Sequence, residues 1–204
     1  MEIMPPIEGM DPLQQAMRTL EADLEAQGWD AKPTFYILQR PANLLAVSPL
    51  QVPDMVTEDP SSGLPLFAAY LSGMPLPTED GPQVASYEDR METLRLMAGP
   101  NFYGIAMFTE GWTVPDADSR IEEFATRTVH EAPDRIEIRY GIAVTTMHEI
   151  VRIHRIRGEI PEYQATMDDY SPQGRVPDSL RVLCWALAAA VKANNPGAMR
   201  ADLQ

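Results

Sequence analysis

The sequence predicts an α+β fold in which an antiparallel sheet of about four strands packs with three to four helices. Three patterns carry that reading. Leu13, Met17, Leu20 and Leu24 recur at helical spacing. Phe102 to Phe108 is a continuous apolar run, as expected of a strand covered on both faces. Arg135 to Val144 alternates strictly, with apolar or small residues at the even positions and charges at the early odd ones.

In chain order, Asp11-Pro12 supplies an N-cap and a proline at the first helical position, and Gly28 stops the first helix. Thr34 to Leu38 is short and rich in β-prone residues, so a strand follows. Residues 41–82 hold prolines 41, 49, 53, 60, 65, 75, 77 and 82, which argues for a connecting segment with little regular structure. Only Leu66 to Leu71 reads as helical within it. A further helix is expected after Ser86, with Met91, Leu94 and Met97 on one face and Gly99-Pro100 as its stop.

Phe102 to Val114 is read as a central strand, and Arg135 to Val144 as its antiparallel neighbour with Ile136, Ile138, Tyr140, Ile142 and Val144 facing the core. Thr145 to His148 turns the chain into a return strand, Ile150 to Ile156. Val151 and Ile153 share one parity and Ile156 has the other, so a bulge near His154-Arg155 is expected. Pro177-Asp178 opens a last helix through Leu180, Leu183, Cys184, Leu187 and Val191. The whole, 1–204, reads as a single domain.

Met107-Phe108-Thr109-Glu110-Gly111-Trp112, followed by Ala132-Pro133-Asp134-Arg135-Ile136-Glu137-Ile138-Arg139, resembles uncharacterised proteins of actinobacteria and their phages. In those, a strand ending in Thr-Glu-x-Trp precedes one opening Pro-Asp-Arg-x-Glu-x-Arg. They have an Asp-Gly hairpin turn where this chain has Thr145 to His148. The resemblance spans roughly residues 105–157, supports the sheet and an actinobacterial or phage origin, and implies no activity.

The net charge of −14 is unevenly placed. Residues 1–132 carry 7 basic and 21 acidic side chains, and residues 133–204 carry 9 of each. Such a field disfavours nonspecific contact with nucleic acid or an anionic membrane. No apolar stretch approaches the length of a membrane span, and the opening residues lack the basic and apolar regions of a signal peptide, so a cytoplasmic location is expected. Cys184, the one cysteine, sits in an apolar run and reads as a core residue.

Phosphate-loop, dinucleotide, nucleophile-elbow, Cys-x-x-Cys and His-Glu-x-x-His signatures are absent from the sequence. His148 and His154 lie six apart on a strand rather than four apart on a helix, so neither a metal nor another cofactor is expected. The best candidate constellation is the charged face of the hairpin, Arg135, Glu137 and Arg139 with Arg152 and His154, together with Trp112. Guanidinium forks held on a rigid sheet suit a carboxylate or phosphate; the plain alternative is a solvated face with cross-strand ion pairs. Glu110, in an otherwise apolar strand, must find a partner or stay protonated, and reads either as a structural pair with a neighbouring arginine or as a weak candidate for catalytic acid or base. Trp29 and Trp185 read as packing aromatics.

The leading expectation is a non-enzymatic binding or interaction protein that engages another protein or an acidic ligand through this face or the proline-rich segment. Two alternatives stand beside it. One is a small enzyme acting on an anionic substrate through Glu110, and the other is a phage virion or assembly component.

Overall fold

The computed structural model describes residues 2–3, 10–41, 44–73, 81, 86–115, 129–167 and 175–194. Helix α1 (Pro12–Gln27) begins as its sequence requires, with the Asp11 carboxylate accepting from the Leu13 and Gln14 N–H groups, and ends at Gly28, whose φ of 101° suits a residue without Cβ. The other elements are β1 (Glu2–Ile3), β2 (Thr34–Gln39), β3 (Ala46–Pro49), α2 (Asp54–Glu58), α3 (Pro60–Leu71), α4 (Tyr87–Ala98), β4 (Phe102–Thr113), β5 (Ile136–Thr145), β6 (Glu149–Ile156), β7 (Glu162–Met167) and α5 (Arg175–Asn194).

All pairings are antiparallel, in the order β1-β3-β2-β4-β5-β6-β7. The class is α+β as expected, but the sheet is larger. Six strands of four residues or more and a two-residue edge pairing replace about four strands, and five helices replace three to four. The additions are β3, whose four residues offer too short a pattern to read, and β7, whose Glu-Tyr-Gln-Ala-Thr-Met is mostly polar.

Both faces of the sheet are covered. α1 closes one, packing Leu13, Met17, Leu20 and Leu24 against Leu38, Phe108, Ala143 and Ile153. α2 to α5 close the other, over Phe35, Ile37, Ile105, Met107, Ile142 and Val144. The two-sided cover removes the need for a bulge in β6. Register runs unbroken from Val144↔Ile150 to Ile138↔Ile156, because Val151 and Ile153 are buried under α1 while Ile150 is buried on the other side. It also corrects the reading of β5: Arg139, Gly141, Ala143 and Thr145 at the odd positions are buried, and Ile136, Ile138 and Tyr140 are only half-buried.

The proline-rich segment is more regular than expected over its described part, with residues 42–43, 74–80 and 82 lying outside it. Its prolines sit where helices tolerate them. Pro53 precedes α2, and Pro60 takes the first position of α3, capped by Asp59 onto the Ser61 N–H at 3.1 Å. Pro65 is inside α3 and costs it one ladder hydrogen bond. At Gly63 a Cβ would lie 2.1 Å from the Met55 carbonyl oxygen, so only glycine lets α2 and α3 approach this closely.

The hairpin joining β5 to β6 closes without glycine. His148 takes the left-handed conformation, φ 65°, and the Thr145 hydroxyl accepts from the Met147 and Glu149 N–H groups. α5 starts at Arg175, two residues before Pro177, which its first turn accommodates. Among the described residues no helix is long and apolar enough to cross a membrane.

Candidate functional site

Antiparallel register decides which candidate residues share a face. Glu110 lies opposite Arg139, and Arg139 opposite Arg155, so these three stand side by side on β4, β5 and β6 beneath α1. Trp112 lies opposite Glu137 one step further out on the same face. Arg152 and His154 pair with Ile142 and Tyr140, which places them on the opposite face. The expected five-residue constellation is therefore divided: Arg135, Glu137, Arg139 and Trp112 stay together, and Arg152 and His154 leave. There Arg152 sits beside Tyr140, whose hydroxyl is pushed up by burial, and its buried Nε has no hydrogen-bond partner. His154 reaches Glu162 on β7 at 3.3 Å.

Arg139 is not on a solvated face. It is 1% exposed, the largest fully buried side chain among those described. Its Nε and Nη2 donate to Glu110 Oε1 at 3.0 and 2.7 Å, Nη1 donates to Glu25 at 3.0 Å, and Nη2 also donates to the Gly28 carbonyl at 2.6 Å. Trp29 closes over the guanidinium at 4.6 Å. Arg155, directly opposite, would repel it. That repulsion is met by Glu21, 1% exposed, which accepts from Arg155 Nε and Nη2 at 2.6 Å each and lies 3.5 Å from Arg139 Nη1.

The second oxygen of Glu110 is also occupied. Gly28 and Asp30 (φ 73°) bend the chain after α1 so that the Asp30 and Ala31 N–H groups donate to Glu110 Oε2 at 2.6 and 3.0 Å. Four donors thus converge on one carboxylate. The space beside Glu110 and Arg139 is about 10 Å³, at the threshold for a single water. Two wider, open depressions lie elsewhere: one of 360 Å³ lined by Tyr36, Pro49 and Val52, and one of 580 Å³ between Ser61, Pro65 and Ser179.

Beyond the end of α1 the same face changes character. Trp112 is 40% exposed, and the exposed Arg135 lays its guanidinium over the indole at 4.8 Å. A 3-10 turn, Val129–Glu131, brings His130 edge-on to the same ring at 5.9 Å. Glu137 accepts from Arg157, and Arg157 stacks over Trp29 at 5.5 Å. A rim of alternating aromatic and charged groups results. Arg135 makes no ion pair among the described residues.

Comparison of the chain with protein-family models, curated proteins and solved structures finds no match. His130, Trp29, Glu21 and Glu25 were missed as site residues. Glu21 left a signal in the sequence, since it falls beside Met17, Leu20 and Leu24 on the buried stripe of α1. His130 left none, because only folding brings it to Trp112. The three histidines pack separately, against Trp112, Trp185 and Glu162.

Proposed function

We propose that this chain is a non-enzymatic binding protein that takes an acidic segment of a partner on the rim formed by Trp112, Arg135 and His130, bordered by Glu137 and Arg157. The observation that carries this is Arg135, whose exposed guanidinium is stacked on Trp112 with no ion pair among the described residues. Stacking fixes the plane of the fork while leaving its N–H donors available for a carboxylate. Half-exposed tryptophan and arginine are also the residue types that dominate binding energy at protein interfaces. In a chain of net charge −14 an arginine with no ion pair among the described residues, held just ahead of β5, concentrates what little attraction for anions the molecule has.

The state of Glu110 supports binding over catalysis. A general acid or base needs an accessible oxygen, and both oxygens of Glu110 are saturated by donors of the protein itself.

The test is an NMR titration of the tryptophan indole N–H signals with a glutamate-rich peptide. The Trp112 signal is expected to shift and saturate while that of Trp185 stays in place, with weaker binding at higher salt. Arg135→Glu is expected to abolish the shift. Uniform or absent shifts in the parent chain would exclude this rim as the contact surface.

A further inference from the structure

α5 buries Leu180, Leu183, Cys184, Leu187 and Ala190 against the sheet. Its outer side holds a second regular stripe. Asp178, Val182, Trp185, Ala189 and Lys192 are all exposed and are spaced four, three, four and three residues apart. At 100° per residue they fall within an arc of roughly 80°, along about 21 Å of helix. Trp185, expected to be an internal packing residue, is 51% exposed and Val182 is 39% exposed. Met147, 65% exposed, and His148, whose ring meets Trp185 at 6.0 Å, flank the stripe from the β5–β6 turn.

The charged ends of the stripe are symmetric about Trp185. Asp178 lies as far before it as Lys192 lies after it. When two such helices cross antiparallel with Trp185 at the two-fold axis, each Asp178 meets the Lys192 of the other copy, and small Ala189 leaves room for the indole. A surface that matches itself after a two-fold rotation is what a symmetric dimer requires. Four-three spacing is also the spacing by which two helices interlock. Lys192 makes no ion pair among the described residues, whereas Asp178 holds Arg181 at 3.1 Å and keeps its second oxygen for a further donor.

Charge does not oppose association on this face. All of the excess −14 lies in residues 1–132, and residues 133–204, which include α5 and the β5–β6 turn, sum to zero. On the stripe itself Asp178 and Lys192 balance, so two copies meeting here bring no net like charge together.

We infer that the outer face of α5 is a self-association surface, on which a second copy of this chain docks antiparallel about Trp185. One pair of helices buries less than the roughly 1,200–2,000 Å² of a standard interface, so the dimer is weak, micromolar or looser.

Sedimentation of the full chain from about 10 μM to 1 mM tests the inference across that range. The parent is expected to pass from monomer to dimer. Trp185→Ala, which removes the central aromatic, is expected to weaken association at least about 30-fold. Asp178→Lys and Lys192→Asp should each weaken it by opposing like charges, and the double variant should recover it. Both reversals disfavour the helix termini, so recovery in the double variant cannot come from repaired helix ends. A parent that stays monomeric to about 1 mM overturns the inference. So does a Trp185→Ala chain that associates like the parent, a double variant that stays as weak as the singles, or association lost instead in Trp112→Ala.

Discussion

Arg139, on β5, and Arg135, one residue before that strand begins, are the same residue type only four positions apart, yet they live in opposite environments. Arg139 is sealed under the last turn of α1 and holds carboxylates from α1 and β4, along with the Gly28 carbonyl. Arg135 stands in solvent against Trp112. What separates them is where α1 stops. Gly28 ends the helix above Arg139, so the inner arginine becomes structural and the outer one stays available. Strand alternation assigns a side chain to a face, but the length of the covering element decides whether that face is core or surface.

The largest test of this contrast removes the inner arginine. Arg139→Ala leaves Glu110 and Glu25 without their buried cation and weakens the hold on Glu21, and breaking a buried pair costs about 3–5 kcal/mol. Ile138→Asp, at a half-buried position, should cost less, on the order of 1–3 kcal/mol. Urea unfolding of the two variants checks the ranking. An Arg139→Ala chain as stable as the parent would mean that the carboxylate cage holds without its centre.

Alkaline pH probes the buried thiol and the partly buried Tyr163 hydroxyl. Burial pushes the Cys184 thiol up to about 12, and burial with the nearby Asp11 charge pushes the Tyr163 hydroxyl up to about 12. A raised folded pKa means that the related stability is complete below the unfolded pKa, near 9 for the thiol, and is lost as pH rises through 12. Thermal melts should therefore decline between pH 9 and 12 by a few kcal/mol in all. Cys184→Ala, less stable than the parent at neutral pH through its cavity, should close on it across that window. A constant gap between the two would show that the thiol does not couple to unfolding.

The smallest expected effect is at the rim. Arg135→Ala should change unfolding free energy by less than about 0.5 kcal/mol, since an exposed cation over an indole contributes little. A loss above about 2 kcal/mol would place Arg135 in the core network instead.

Much of this architecture was legible in the sequence. Asp11, Pro12 and Gly28 bracket α1, Ser86 and Gly99 bracket α4, and alternation and the apolar run locate β5 and β4. The pairing of Glu110 with an arginine of the next strand was also within reach, as the plainer of its two readings. The burial of Arg139 was not. A charged odd position normally marks solvent, and its carboxylates come from Glu21, Glu25 and Glu110, all distant in sequence. Helix α2 and the first half of α3 were hidden for another reason, whereas Leu66 to Leu71 was read as helical. Prolines stop helices from within but start them from the first turn, and composition alone does not distinguish Pro60 from Pro65.

Strands β4 to β7 are neighbours in sequence as well as in the sheet, whereas β2 joins β4 across most of the first half of the chain, Thr34 opposite Phe108. Closing that long loop is entropically costly, so the β4–β7 portion has the kinetic advantage. Glu21 and Glu25 of α1 meet Arg139 and Arg155 of that portion, so α1, from the far side of the long loop, is tied to the locally paired strands by charge as well as by apolar packing.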